Sequence, residues 1–342
     1  MAKIVYMARS PDHVPLNFFE IFEGHDLGVY DPAAQYSATD SVMYFDLYSG
    51  CNDLVPQYLA RGFRIIFDAK NEHYLPHDIG QALVPLFQQH PGQAMVVISG
   101  QTAQHIPDVR VVATPHWYWY IDRRSWHNQK LHSWHRNVSP KHNFFMQIGQ
   151  ARQDRDKFYQ ELINNNLLHG CLHSYRAHGI FLPNDVHQTV MPNWQRYVNR
   201  EWYEDTWFSV SVESYLDDND KGFSLTMNDN LFLCEKSYKA MACQHPFVLV
   251  STYHNLSYLR SQGFETFAEL FDETYDNQPQ FENRINHICE SIKNFDQAEY
   301  FSNAVQEKIQ HNHARFFNSA LIKQLFKQSF VDPVLEFVYA KV

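Results

Sequence analysis

Positive charge is scarce in this 342-residue chain: 28 lysines and arginines stand against 38 aspartates and glutamates, a formal charge of −10. A protein that grips nucleic acid along a track needs clustered cations, so this balance argues against one, although a local basic groove stays compatible with it. Charged residues of both signs amount to only 19% and hydrophobic ones to 44%, which is not a disordered composition. No apolar run approaches the roughly 20 residues of a membrane helix, and MAKIVYMARS lacks a secretory hydrophobic stretch. No Cys-x-x-Cys pair occurs; the five cysteines (Cys51, Cys171, Cys234, Cys243, Cys289) are odd in number and widely spaced. A reduced cytoplasmic setting, without a membrane partner, is the simplest expectation. GxSxG, GxGxxG and Walker-type loops are missing, as are HExxH and Cys/His frameworks. The 20 histidines include His311 and His313, two apart on a helical stretch and so not on one face. No metal is expected.

What the chain does have is aromatic residues, 15% of it, and length enough for more than one core. Short apolar runs alternate with helical stretches: KIVYMA, then VMYFDLY, then RIIFDAKNEHY after a helix ending at Gly62, then AMVVISG. That alternation predicts parallel α/β construction, with ligands beyond the C-terminal ends of the strands. Asp68 and Glu72 fall at such an end. The polar, irregular stretch RNVSPKHN suggests a boundary, and a second α/β pattern starts at NFFMQIGQ. The tail beyond 281 has helical spacing in INHICESI and ARFFNSALIKQLF.

The stretch 207–251 is best suited to chemistry. WFSVSVES reads as a buried strand ending at Glu213; an acidic, turn-rich insert follows, then a helix opening on Glu235-Lys236, then the strand PFVLVS. First-turn N–H groups of a helix lack internal partners and can receive an anion, and Lys236 and Lys239 add positive charge. A nucleotide-sugar diphosphate is the expected occupant. Each residue also has a plainer reading. Glu235 and Lys239 have the spacing of a surface ion pair. Glu213 either meets Arg155, Lys236 or a ligand, or is solvated where the strand exits. Arg152 and Arg155 suit a phosphate, or belong to a solvated first turn, QDRDK.

These residues carry a resemblance. SVSVES…CEKSYKAMACQHPFVLV is similar to the donor-site segment of GT-B type glycosyltransferases, particularly the alpha-1,3-fucosyltransferases and, more loosely, the exostosin-like enzymes. Those fucosyltransferases have a strand ending Glu-Asn, Thr-Glu-Lys opening a helix, and a strand beginning near Pro. Here the corresponding residues are Glu213-Ser214, Cys234-Glu235-Lys236 and Pro246-Phe247, with Cys234 and Ser214 as departures. Their earlier Arg-Asp step before a helical Phe matches Arg155-Asp156-Lys157-Phe158. The resemblance covers about 144–276 and implies that Arg155 and the Glu-Lys pair hold the nucleotide's phosphates and ribose. The continuation SYLRSQGFETFAELFDETYD also looks like uncharacterised proteins of tailed bacteriophages.

The expectation is therefore an α/β, GT-B-like protein: two Rossmann-like domains facing a cleft, with a helical C-terminal tail. Residues 1–140 would form the acceptor side, 141–296 the donor domain, and 297–342 helices packing back on the first domain. The function expected is sugar transfer from a UDP- or GDP-linked donor to a hydroxyl on a glycan or small molecule. Arg152, Arg155, Glu213, Glu235, Lys236 and Lys239 would bind the donor. Asp68 and Glu72 would supply the catalytic base, and His116, Trp117, Trp119 and Asp122 would face the acceptor. One alternative acceptor is a hydroxymethylated base in DNA, flipped into a groove lined by the basic 123–136 cluster and the aromatic 117–126 stretch. Another alternative is a non-catalytic binding or assembly protein that keeps the fold.

Overall fold

The computed structural model describes residues 2–8, 18–47, 51–69, 74–75, 77–100, 105–115, 123, 125–182, 197–216, 223–224 and 233–340. Strands and helices alternate as the apolar runs predict, giving an α/β protein with two separate parallel sheets. Two compact units share the chain. One comprises Met1–Trp117, Lys221–Phe232 and Ala320–Val342; the other comprises Tyr118–Asp220 and Leu233–Ser319.

The first unit begins with β1 (Lys3–Met7), α1 (Phe18–Ile21), β2 (Leu27–Val29), β3 (Ser41–Asp46), α2 (Val55–Ala60) and β4 (Arg64–Ala69). It continues with β5 (Tyr74–Leu75), α3 (His77–Gln88), β6 (Ala94–Ile98) and β7 (Arg110–Ala113). Apart from β5 these strands form one parallel sheet in the order β2-β1-β3-β4-β6-β7. β3, β4 and β6 are buried along their whole length, which suits runs with no polar alternation. Alternate residues point to opposite faces. Val5, Met43, Phe45, Ile65 and Phe67 share a core with Tyr58 and Leu59 of α2 and Phe87 of α3.

The second unit runs β8 (His142–Ile148), α4 (Gln153–Asn164), β9 (Leu172–Tyr175), α5 (Arg200–Glu204) and β10 (Thr206–Val212). After β11 (Phe223–Ser224) come α6 (Glu235–Ala242), β12 (Phe247–Val250), α7 (Asn255–Ser261), α8 (Phe281–Lys293) and α9 (Asn303–Phe317). β11 pairs antiparallel with β5 and so belongs to the first unit. The second sheet has the order β12-β10-β8-β9, all parallel. Its strand order reverses between β8 and β10, and open sheets of this kind bind ligands beyond the strand ends at that reversal.

Two last helices, α10 (Ser319–Phe326) and α11 (Asp332–Tyr339), return to the first unit. Arg64 of β4 fastens the end of α11: Nη1 donates to the carbonyls of Phe337 (2.8 Å) and Ala340 (2.9 Å), and Nη2 to that of Val338 (2.7 Å). Terminal carbonyls of a helix have no partner inside it, and a cation there also complements the helix dipole. No helix among the described residues is long and apolar enough to cross a membrane.

α7 stops where the sequence places a stop, at Gly263, whose φ is +78°. A Cβ there would lie 2.4 Å from the Arg315 guanidinium carbon, and Arg315 Nε donates to the Gln262 carbonyl at 2.7 Å. Gly263→Ala is therefore expected to lose about 1–2 kcal/mol, from left-handed backbone strain and the displaced arginine. A melting temperature unchanged from wild type would contradict this.

Candidate functional site

At the reversal between β8 and β10 the two post-strand loops are bolted together. The loop after β8 leads through Arg152, in extended conformation, into the first turn of α4. Asp154 Oδ1 accepts from the Arg155 backbone N–H at 2.7 Å, and its Oδ2 accepts from the Leu216 N–H, also at 2.7 Å. The Arg155 fork donates to the Glu213 carbonyl through Nε (3.1 Å) and Nη2 (2.8 Å), and to the Gln150 carbonyl through Nη1 (3.1 Å). Arg155 is 4% exposed and Asp154 7%. Burial draws the Arg155 guanidinium below the usual arginine range, and it still carries its charge. Of the first turn QDRDK, only the outward residues are solvated.

Glu213 ends β10, 1% exposed, and is paired within the protein. Its Oε2 accepts from the Cys234 backbone N–H at 2.9 Å and its Oε1 from the Ser237 hydroxyl. The carboxylate thus caps the start of α6, where orphan donors and the positive end of the dipole favour an anion. Burial raises its pKa, an effect that Lys236, Cys234 and Ser237 offset in part.

Glu235 and Lys239 are 6% and 4% exposed, so they are not a surface ion pair. Lys236 Nζ lies 3.5 Å from Glu235 Oε1 and donates to Cys234 Sγ at 3.1 Å. Desolvation works against the Lys236 ammonium, yet Cys234, Glu235 and Glu213 hold its proton above the usual lysine range. Burial alone would raise the Glu235 carboxyl, but Lys236 and then Lys239 pull it below the usual range. Between α6 and the sheet, Lys236 and Lys239 line a cavity of about 10 Å³ with Gln147, Ser209 and Ser211, the space of roughly one water. Arg152 is half-buried, its guanidinium 4.1 Å from the Tyr215 ring centroid, a cation–π arrangement.

The structure thus brings Arg152, Arg155, Glu213, Glu235 and Lys236 to the C-terminal end of one sheet, with Lys239 a turn further along α6 beside Ser209 and Tyr203, and it assigns the polar atoms of Arg155 and Glu213 to protein partners. Asp68 lies elsewhere, in the first unit. It is 1% exposed, accepts from the Tyr44 hydroxyl, and sits beside Asp46 in register. Glu72, His116, Trp117, Trp119 and Asp122 lie outside the described residues. In the basic 123–136 cluster, Arg136 is spent inside the second unit. It donates to the Tyr203 carbonyl (2.7 Å), the Tyr300 hydroxyl (2.5 Å) and the Thr206 carbonyl.

One constellation escaped the sequence reading. Asp156, Tyr175 and His178 meet at the C-terminal end of β9, on the same sheet edge as Arg152. A histidine just past a strand and before a glycine was the available signal. Among the described residues no group of three or more His, Cys, Asp or Glu could hold a metal ion. The chain matches no family model, and no curated protein matches it in sequence.

Proposed function

We propose that the second unit binds a nucleotide-sugar diphosphate at the β8/β10 reversal and that the protein is a GT-B type glycosyltransferase acting on a hydroxyl acceptor. One observation carries the reading: the cations Arg152, Arg155 and Lys236 gather at the reversal between β8 and β10, where parallel sheets receive ligands. Arg155 and Glu213 would act as the frame that fixes the two loops. Lys236 and Arg152 would face the diphosphate and stabilise the charge that builds as it departs. Glu235, flanked by Lys236 and Lys239, would orient the donor's hydroxyls. In the reaction an acceptor oxygen bonds to the anomeric carbon while the carbon–oxygen bond to the diphosphate breaks. The leaving group keeps that electron pair, and the acceptor's proton passes to a base. Asp68 or Glu72 is the base expected from strand position; Asp68, buried and engaged by Tyr44, matches the task poorly.

Thermal-shift measurement against UDP, GDP, CMP and dTDP sugars tests the reading, because a ligand that binds only the folded state stabilises it by mass action. A rise in melting temperature with one nucleotide class is expected. Lys236→Ala should weaken that ligand about 10-fold, or ~1.4 kcal/mol. The protein should still fold, since Glu235 retains Lys239 as counter-charge. Equal affinity in the variant would remove Lys236 from the site. The engagement of Arg155 and Glu213 by backbone partners favours one rival, a protein that keeps the fold for binding or assembly. No shift with any nucleotide sugar at millimolar concentration would support that rival. Sugar transfer to hydroxymethylcytosine DNA, with none to ordinary DNA, would identify a DNA acceptor.

A further inference from the structure

His178 is held by a carboxylate at the C-terminal end of β9. Its Nε2 lies 2.8 Å from Asp156 Oδ1, and the same oxygen accepts from the Tyr175 hydroxyl at 2.5 Å. A carboxylate offers only lone pairs, so Nε2 must carry the hydrogen, and neutral His178 presents Nδ1 as a bare acceptor. Among the described residues nothing donates to that nitrogen. The imidazole is 46% exposed and the Asp156 side chain 44%, so the pair opens to solvent. Both partners stand on rigid supports. Asp156 is in the first turn of α4, its N–H donating to the Arg152 carbonyl at 2.8 Å. His178 rides a tight turn closed by reciprocal bonds between Tyr175 and Ile180 (3.0 and 3.1 Å), with Gly179 left-handed at φ +71°. The buried Tyr175 ring backs the imidazole at 4.2 Å between centroids.

The turn is also tied to the donor edge, because the Ala177 N–H donates to the Gly149 carbonyl at 3.2 Å, in the loop that leads to Arg152 and Arg155. A proton acceptor with a fixed tautomer therefore shares a sheet edge with the expected diphosphate ligands. That is the arrangement in which a carboxylate orients an imidazole and stabilises the imidazolium it becomes.

We propose that His178, oriented by Asp156, takes the acceptor hydroxyl's proton, in place of a first-unit carboxylate. The inference rests on the glycosyl-transfer reading. As the acceptor oxygen bonds to the anomeric carbon, its proton moves to His178 Nδ1, and the nucleoside diphosphate leaves with the electrons of the broken bond. Asp156 is a positioning residue. The titratable groups around the imidazole are Asp156 and Tyr159 of α4 and Tyr175 of β9. Burial raises both tyrosine hydroxyls, so they stay neutral across the working range.

Three measurements decide it, using the whole chain. First, His178→Asn should slow transfer about 100-fold while the nucleotide-induced thermal shift stays at the wild-type value. Second, Asp156→Asn, which takes away the carboxylate that orients the imidazole, should lower kcat while KM changes less. Third, nitrogen NMR should find the Nε2–H tautomer in wild type. Wild-type transfer rates in His178→Asn, an unchanged kcat in Asp156→Asn, or an Nδ1–H tautomer would each overturn the proposal. If Asp68→Asn abolishes transfer and His178→Asn does not, the base assignment alone falls. If the wild type neither binds nor transfers from any nucleotide sugar, the functional reading falls and takes the base with it.

Discussion

Replacing Arg284 with alanine should lower the unfolding free energy by about 3–5 kcal/mol, because four main-chain carbonyls lose a charged donor and the fork's packing is lost. Arg284 lies on α8, 2% exposed. Its Nε donates to the Ser251 carbonyl at 2.9 Å, Nη1 to those of Gln278 (2.6 Å) and Pro279 (3.2 Å), and Nη2 to that of Leu216 (2.5 Å). One planar fork thus satisfies carbonyls from the loops after β10 and β12 and from the approach to α8. Without it those carbonyls lose their charged donor. Lysine supplies one ammonium and no fork, so Arg284→Lys should recover less than half of the loss. Urea unfolding checks both values. A loss under about 1 kcal/mol for the alanine variant would show that the loops hold their shape unaided.

Glu213→Ala should cost about 3 kcal/mol, since it leaves the Cys234 N–H and the Ser237 hydroxyl buried without their acceptor. Glu213→Gln, which keeps one carbonyl oxygen, should cost about 1 kcal/mol. The two states of the chain hold the Glu213 proton differently. Burial raises the folded carboxyl above the ordinary glutamate range. Below that range both states are protonated and the contribution is complete. As pH rises, the unfolded chain ionises first, and stability is lost until the folded carboxyl has ionised as well. Glutamine cannot ionise, so the gap between wild type and Glu213→Gln should narrow as pH rises from the ordinary glutamate range through the raised pKa of the folded carboxyl. Denaturant curves at both ends measure it; a gap that widens would mean the folded carboxyl ionises more readily than the unfolded one.

The α/β architecture was legible because RIIF, AMVVI, FFMQI and PFVLV are strands covered on both faces, and their patterning needs no partner to be recognised. The grouping of Arg155, Glu213, Glu235 and Lys236 was suggested by spacing and resemblance. What each side chain bonds to was not, since Arg155 and Arg284 spend their forks on main-chain carbonyls, which no residue type advertises. Local pattern also hid a break. ARFFNSALIKQLF keeps helical spacing throughout, but Asn318 turns extended (φ −71°, ψ 92°), and the chain passes there from one unit to the other. The acidic insert is similarly silent: Phe223–Ser224 is too short to read as a strand, and its partner Tyr74–Leu75 is remote in sequence. In the sequence Asp156 is a first-turn charge and half of an Arg-Asp step, and only the turn at Gly179 brings His178 to it.

The anchoring of α11 by Arg64 sets an order of events during synthesis. The first sheet's strands leave the ribosome early, but the helix that Arg64 fastens follows the whole second unit. Until it emerges, the face carrying Tyr44, Phe22 and Arg64 lacks its Phe330 and Phe337 partners. Apolar surface left uncovered through that interval is what holdase chaperones recognise. The part of this protein made first is completed last.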